Sequence, residues 1–160
     1  MSTTIISAFL AATDVTNAFS PNLLIQWLDD PVNPTGTLNT TLRDTIIARV
    51  NGEASSLTSD KLQFPMTVND ADATNIQATL VGFALDMFEY YALKDKPHIL
   101  EAYKGVQEGY NRAIAWLEDV RDGKATIGTS KVVPGAEVRN AAVETTSHKG
   151  TFDRRRLRGW

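Results

Sequence analysis

The chain has 160 residues, a formal net charge of −3 and no cysteine, which excludes disulfide staples, thiol catalysis and thiolate metal sites. This length suits one domain with a modest core and a tail. No apolar run approaches the ~20 residues of a membrane span, and the opening Met1-Ser2-Thr3-Thr4 lacks the basic start of a secretory signal, so a soluble protein is expected.

Charge is unevenly spread. Residues 1–122 hold 8 Lys/Arg against 16 Asp/Glu, whereas residues 123–160 hold 8 against 3. An acidic body therefore carries a basic tail, and the tail is expected to dock on something acidic, neighbouring copies of the chain included.

In chain order, Ile5, Ile6, Phe9 and Leu10 read as a short amphipathic turn or two, and Thr16-Asn17 as the cap of a second short segment. Ser20-Pro21 is a stronger start signal, with serine as N-cap and proline in the first helical position. Leu23, Leu24, Trp27 and Leu28 give that helix its apolar face, and Asp29-Asp30-Pro31 stops it. A loop follows over Pro31–Gly36. Leu38, Leu42, Ile46, Val50 and Leu57 mark a longer helix capped by Asn39 or Thr40, with a local bend expected at Gly52. Lys61–Val68 alternates polar and apolar residues and suits an extended connection; Asn69-Asp70-Ala71-Asp72 caps what comes next.

Two long helical patterns then dominate. In the first, Ile76, Leu80, Phe83, Ala84, Met87 and Tyr91 recur at helical spacing while Val81, Leu85 and Phe88 fill a second face. A helix so apolar must be covered from several sides. Lys94-Asp95-Lys96-Pro97 breaks it. The second pattern, His98–Asp122, puts Tyr103, Val106, Tyr110, Ile114, Leu117 and Val120 on one stripe, opposite Glu101, Lys104, Glu108, Arg112 and Glu118. A single helix of that extent is about 38 Å long, and Gly123 sits where a left-handed cap is expected. So short a break favours antiparallel packing. The predicted fold is all-α: a small helical bundle over residues 1–128 built on a long antiparallel hairpin, followed by an extended, mostly irregular C-terminal tail over residues 129–160.

Thr129–Gly150 lacks a helical stripe, with Lys131-Val132-Val133-Pro134-Gly135 reading as a short strand and turn. Alone, residues 129–160 bury too little apolar surface to offset their ordering entropy, so they are expected to order on binding.

Few residues suggest chemistry. His98, with Glu101 and Asp95 nearby, is a weak metal candidate set against a plain charged first turn. His148 carries no role. Asp29-Asp30 with Asp44 reads as a helix-terminating acidic turn rather than paired carboxylates. No phosphate loop, nucleophile elbow or zinc spacing is present. The expectation is a protein without catalytic residues, cofactor or metal. Arg154-Arg155-Arg156-Leu157-Arg158, flanked by Phe152 and Trp160, admits two readings. One is a protein-docking element, since arginine and aromatic residues are favoured at interfaces. The other is a nucleic-acid arm with stacking rings. The acidic body favours docking. Trp116 lies off the main stripe and is either a second-layer packing residue or an interface anchor.

The succession from Tyr110 through Trp116-Leu117 to Gly123-Lys124-Ala125 and Gly128 resembles the closing helix of head–tail connector (adaptor) proteins of Mu-like phages and prophages. The buried pattern Leu80–Tyr91 followed by a proline-containing loop is similar to that family's next-to-last helix. The order Glu53–Leu57 then Phe64-Pro65, and the basic ending Phe152–Gly159, also follow it. The chain departs from the family in two places. Asp29-Asp30-Pro31-Val32-Asn33-Pro34 stands where a glycine-rich acidic loop is usual, and the first fifteen residues do not match. The resemblance implies a structural virion protein at the head–tail junction. It would form a homo-oligomeric ring, usually of twelve copies, between the portal protein and a tail-side neck or tail-terminator protein. DNA would pass through the lumen without specific binding, and no membrane is involved.

Overall fold

The computed structural model describes residues 2–30, 34–58, 61–101, 103, 105–125 and 127, except for the side chain of His98. Six helices and a two-stranded sheet occupy these residues, in the order β1 (Thr3–Ile6), α1 (Ala12–Ala18), α2 (Pro21–Leu28), α3 (Thr40–Thr58), β2 (Met66–Asn69), α4 (Asp70–Leu93), α5 (Pro97–Leu100) and α6 (Val106–Arg121). The predicted helical architecture holds, with the small sheet added. The tail over residues 129–160, and the boundary drawn before it, lie outside the described residues.

Helix α4 is the centre of the fold. Its first half buries one face through Ala73, Ile76 and Leu80, while Ala84, Met87, Phe88, Tyr91, Ala92 and Leu93 bury its second half nearly all round. Helix α6 lies antiparallel along it. Phe83 stacks on Trp116, Asp86 meets Arg112, and Tyr90 stacks on Tyr110, so numbers rise along α4 as they fall along α6. Ala113, Leu117 and Val120 complete that seam with no exposed surface.

The expected single helix over His98–Asp122 is corrected by the structure. The helix is broken between α5 and α6, where Gly105 adopts φ +107° as the N-cap of α6. A left-handed residue cannot continue a right-handed helix. What remains as α6 is 16 residues, roughly 24 Å instead of 38 Å. At its other end Gly123, at φ +72°, gives the expected left-handed stop, and the Lys124 and Ala125 amides both donate to the Asp119 carbonyl.

The N-terminus is likewise corrected. Ile5 and Ile6, expected in a helical turn, lie in β1, which pairs antiparallel with β2 in the register Thr3↔Asn69 to Ile6↔Met66, and Phe9 and Leu10 follow it as a bend. Thr16 and Asn17, expected to cap a segment, lie inside α1. The Asp14 carboxylate secures the start of α1 by accepting the Ala11 N–H at 2.9 Å. Ser20 caps α2 as expected, its hydroxyl accepting from the Leu23 amide. For α3, Asn39 rather than Thr40 is the cap, accepting the Leu42 N–H at 3.0 Å, and the helix runs unbroken through Gly52. Asn69 takes the N-cap position of α4 without a side-chain capping bond, while the Asp70 carboxylate accepts from the Thr4 hydroxyl.

Two long-range polar contacts lock the layers. Asn51 of α3 accepts the Leu10 N–H at 2.9 Å and donates to the Leu10 carbonyl at 3.0 Å, so one amide satisfies both backbone groups of a residue 1% exposed. Lys96, in the break after α4, donates to the Trp27 and Asp29 carbonyls at the end of α2. Those carbonyls have no partner within their own helix, and a cation suits the negative end of the dipole. Phe19, Trp27, Phe88 and Tyr103 pack their rings around this point.

Candidate interaction surface

The α4–α6 seam carries a concave surface with two adjoining lobes. One lobe, of about 350 Å³, is lined by Asp86, Glu89, Tyr103, Gly105, Val106, Glu108, Gly109 and Arg112. The other, of about 360 Å³, is lined by Ala78, Thr79, Gly82, Phe83, Asp86 and Arg112. Asp86 and Arg112 belong to both lobes and pair across the seam at 2.9 Å. The groove therefore runs along both helices, with an ion pair at its waist.

Local sequence explains this geometry. Gly109 faces Asp86, and a Cβ there would approach the Asp86 Cγ to 3.2 Å, so a glycine lets the carboxylate lie against α6. Arg112, one turn on, donates to the same carboxylate, which raises its own proton affinity. The groove is acidic, with three carboxylates (Asp86, Glu89, Glu108) against one guanidinium among its described lining residues. Glu89 is half-buried, and its carboxyl is pushed above the ordinary range by desolvation first and by the Asp86 charge second.

Behind the seam sits a second polar cluster. Glu53 of α3 accepts from Tyr91 at 2.5 Å and from Tyr110 at 2.9 Å, and the Arg49 guanidinium lies 4.1 Å over the Tyr91 ring. Desolvation raises the pKa of both phenols, and their hydrogen bonds add to this at Tyr110. The cluster joins three helices, α3 through Arg49 and Glu53, α4 through Tyr91 and α6 through Tyr110.

The sequence-derived candidates fall as follows. Trp116 is half-buried and stacked on Phe83, with centroids 4.4 Å apart and planes at 20°, beside the second lobe. It thus packs in the second layer and borders the groove. Phe152, Arg154, Arg155, Arg156, Leu157, Arg158 and Trp160 lie outside the described residues, as does His148. The side chain of His98, in α5, also lies outside them.

Asp29 and Asp44 are separately engaged. Asp29 accepts from the Thr35 amide and hydroxyl at 3.0 Å and from the Gly36 amide at 2.8 Å, while Asp44 pairs with Arg43. The Asp29 bonds, led by the Thr35 and Gly36 amides, lower its pKa to about 2. Gly36 has φ +68°, the conformation that turns its amide onto the carboxylate. Among the described residues no group of three or more His, Asp or Glu is placed to hold a metal. No helix among them is long and apolar enough to cross a membrane.

The sequence marks Glu108 and Arg112 as a polar face but does not point to Asp86 as the partner of Arg112. The available signal was a carboxylate inside an otherwise apolar run on α4, three residues beyond Phe83. Glu53 carried no comparable signal, because its partners are 38 and 57 residues away.

Neither the curated proteins nor the solved structures give a match to this chain. A family model described as Bacteriophage Mu, Gp36 matches residues 9–145, which takes in all six helices and the groove. That span covers most of the 160 residues, and the chain belongs to this Mu-like phage protein family.

Proposed function

We propose that this protein is a structural component of the virion, a head–tail adaptor that acts by assembly and carries no catalytic role. Copies, twelve in the usual ring, pack side by side between the portal protein and a tail-side neck or tail-terminator protein. The DNA channel continues through the ring, and the acidic body gives a lumen wall that does not grip passing DNA. The protein is made in the host cytoplasm and resides at the head–tail junction. The observation that carries this reading is the phage family match across residues 9–145, joined to the connector-like succession Tyr110–Gly128 that closes α6. The α4–α6 hairpin supports it as a rigid unit from which a basic tail can reach a partner.

Trp116 and the tail residues Phe152, Arg154, Arg155, Arg156, Leu157, Arg158 and Trp160 are the proposed contact residues. The test is to delete residues 129–160 and mix the product with portal-bearing heads. The expected result is a folded helical body that does not join them. Joining at full strength would remove the docking role of the tail.

A further inference from the structure

We propose that, in the free chain, the arginine segment Arg154–Arg158 seats in the chain's own groove between α4 and α6. The inference stands apart from the adaptor reading, because it concerns one chain in dilute solution.

Three observations select this occupant. The first is shape. The two lobes form one open trough along the seam, and at Gly82 and Gly105 a Cβ would meet nothing within 4 Å, so their floor is uncrowded. An extended segment can lie in such a trough, with Leu157 against the apolar surface that Phe83 supplies in the second lobe.

The second is charge. Arg112 already holds Asp86, which leaves Glu89 and Glu108 facing the same lobe. Half-burial and the Asp86 charge both make an ionised Glu89 costly, and an arriving guanidinium would relieve that cost. The four arginines of the segment are the densest cationic cluster in the chain. Guanidinium also suits bidentate pairing with carboxylates better than ammonium does.

The third is reach. Ile127 packs against the core beyond the end of α6, and the first lobe lies at the opposite end of that helix, roughly 24 Å back. Twenty-six residues separate Ile127 from Arg154. Extended, a connection of that length spans up to about 86 Å, so the segment reaches the groove with ample slack. Tethering makes the encounter intramolecular, which favours the chain's own groove over a neighbour's in dilute solution.

The absence of cysteine gives a clean test in the full-length protein. Thr79→Cys places a thiol on the exposed rim of the second lobe, and Gly159→Cys places one beside the arginines. Thr45→Cys on α3 is the matched control. Like Thr79 it is an exposed helical threonine bonded to the carbonyl four residues back. Disulfide formation within single chains is followed under dilute oxidising conditions on non-reducing gels.

The 79–159 pair is expected to close about tenfold faster than the 45–159 pair, the gain that a raised local concentration gives. Changing Arg154, Arg155, Arg156 and Arg158 to Glu, or Glu108→Lys with Glu89→Gln, should return it to the control rate, as should high salt. The tail changes leave the helical body intact, so they read the contact even where a groove variant fails to fold. Equal rates for the two pairs would overturn the proposal. A 79–159 rate indifferent to the tail charge reversal would also overturn it, as would links formed only between chains.

Discussion

The Tyr110 hydroxyl of α6 donates to the Glu53 carboxylate of α3 at 2.9 Å, and the same carboxylate accepts from Tyr91 of α4. One half-buried side chain thus ties three helices together near the connected end of the hairpin, where α4 finishes and α6 begins. Glu53→Ala removes the acceptor for both phenols, one of them on a residue only 9% exposed. The expected loss is about 1–2 kcal/mol in urea unfolding, with Glu53→Gln milder because an acceptor remains.

The same cluster makes an alkaline prediction. Both phenols have folded pKa values raised above the unfolded value of about 10. Above that pH the unfolded chain releases protons that the folded chain keeps, so stability is fully present below it and falls as pH rises. Tyr91→Phe and Tyr110→Phe should each flatten this decline. The check is urea unfolding at successive pH values from neutrality to beyond pH 10, with phenolate absorbance followed in parallel.

At the acid end the counterpart is Asp29, lowered to about 2 by the Thr35 and Gly36 amides. A depressed carboxylate contributes stability above its unfolded pKa, and that contribution is lost as pH falls from about 4 towards 2. Asp29→Asn should remove this part of the acid dependence while leaving an acceptor for the turn. Acid unfolding of the two proteins side by side reads the difference. A wild-type carboxyl that titrates in the ordinary range by NMR would contradict it.

Asn51 meets both backbone groups of Leu10 with a single amide, so no smaller or charged residue can replace it. Asn51→Ala leaves a donor and an acceptor unpaired at a nearly inaccessible residue and should cost about 1–3 kcal/mol. Asn51→Asp keeps an acceptor only, and the Leu10 carbonyl then faces a carboxylate. Urea unfolding should rank Asn51→Asp with the alanine variant, not with the wild type.

The glycines separate by conformation. Gly52 and Gly82 lie in helices with open space at Cβ, so alanine there should stabilise by about 1 kcal/mol. Gly105 also has open space but sits at φ +107°, and alanine there should destabilise by about 1–2 kcal/mol. Thermal unfolding of the three variants gives opposite signs from the same substitution.

This contrast shows why part of the fold was legible in the sequence and part was not. Ser20-Pro21, Asn39 and Gly123 act through neighbours a few residues away, and those boundaries could be read directly. Helix α4 was legible because so long an apolar run admits few alternatives. The break at Gly105 was hidden, because Tyr103, Val106 and Tyr110 keep helical spacing straight across it. Strand β1 was hidden for a different reason. Ile5, Ile6, Phe9 and Leu10 mimic helical spacing, while the partner that makes Ile5 and Ile6 extended, Met66–Asn69, is some sixty residues away. The groove follows the same rule: Glu108 and Arg112 stood out as a polar face, but only the hairpin brings Asp86 between them.

As proposed above, this phage-family protein joins head to tail. The most direct test of that role is electron microscopy of the particles made when the gene is removed from the phage or prophage that encodes it. The expected particles are DNA-filled or leaking heads beside separate, complete tails, with joining restored by the full-length protein and not by residues 1–128 alone. Normally joined particles would contradict the adaptor role and turn attention to the arginine segment as a nucleic-acid arm.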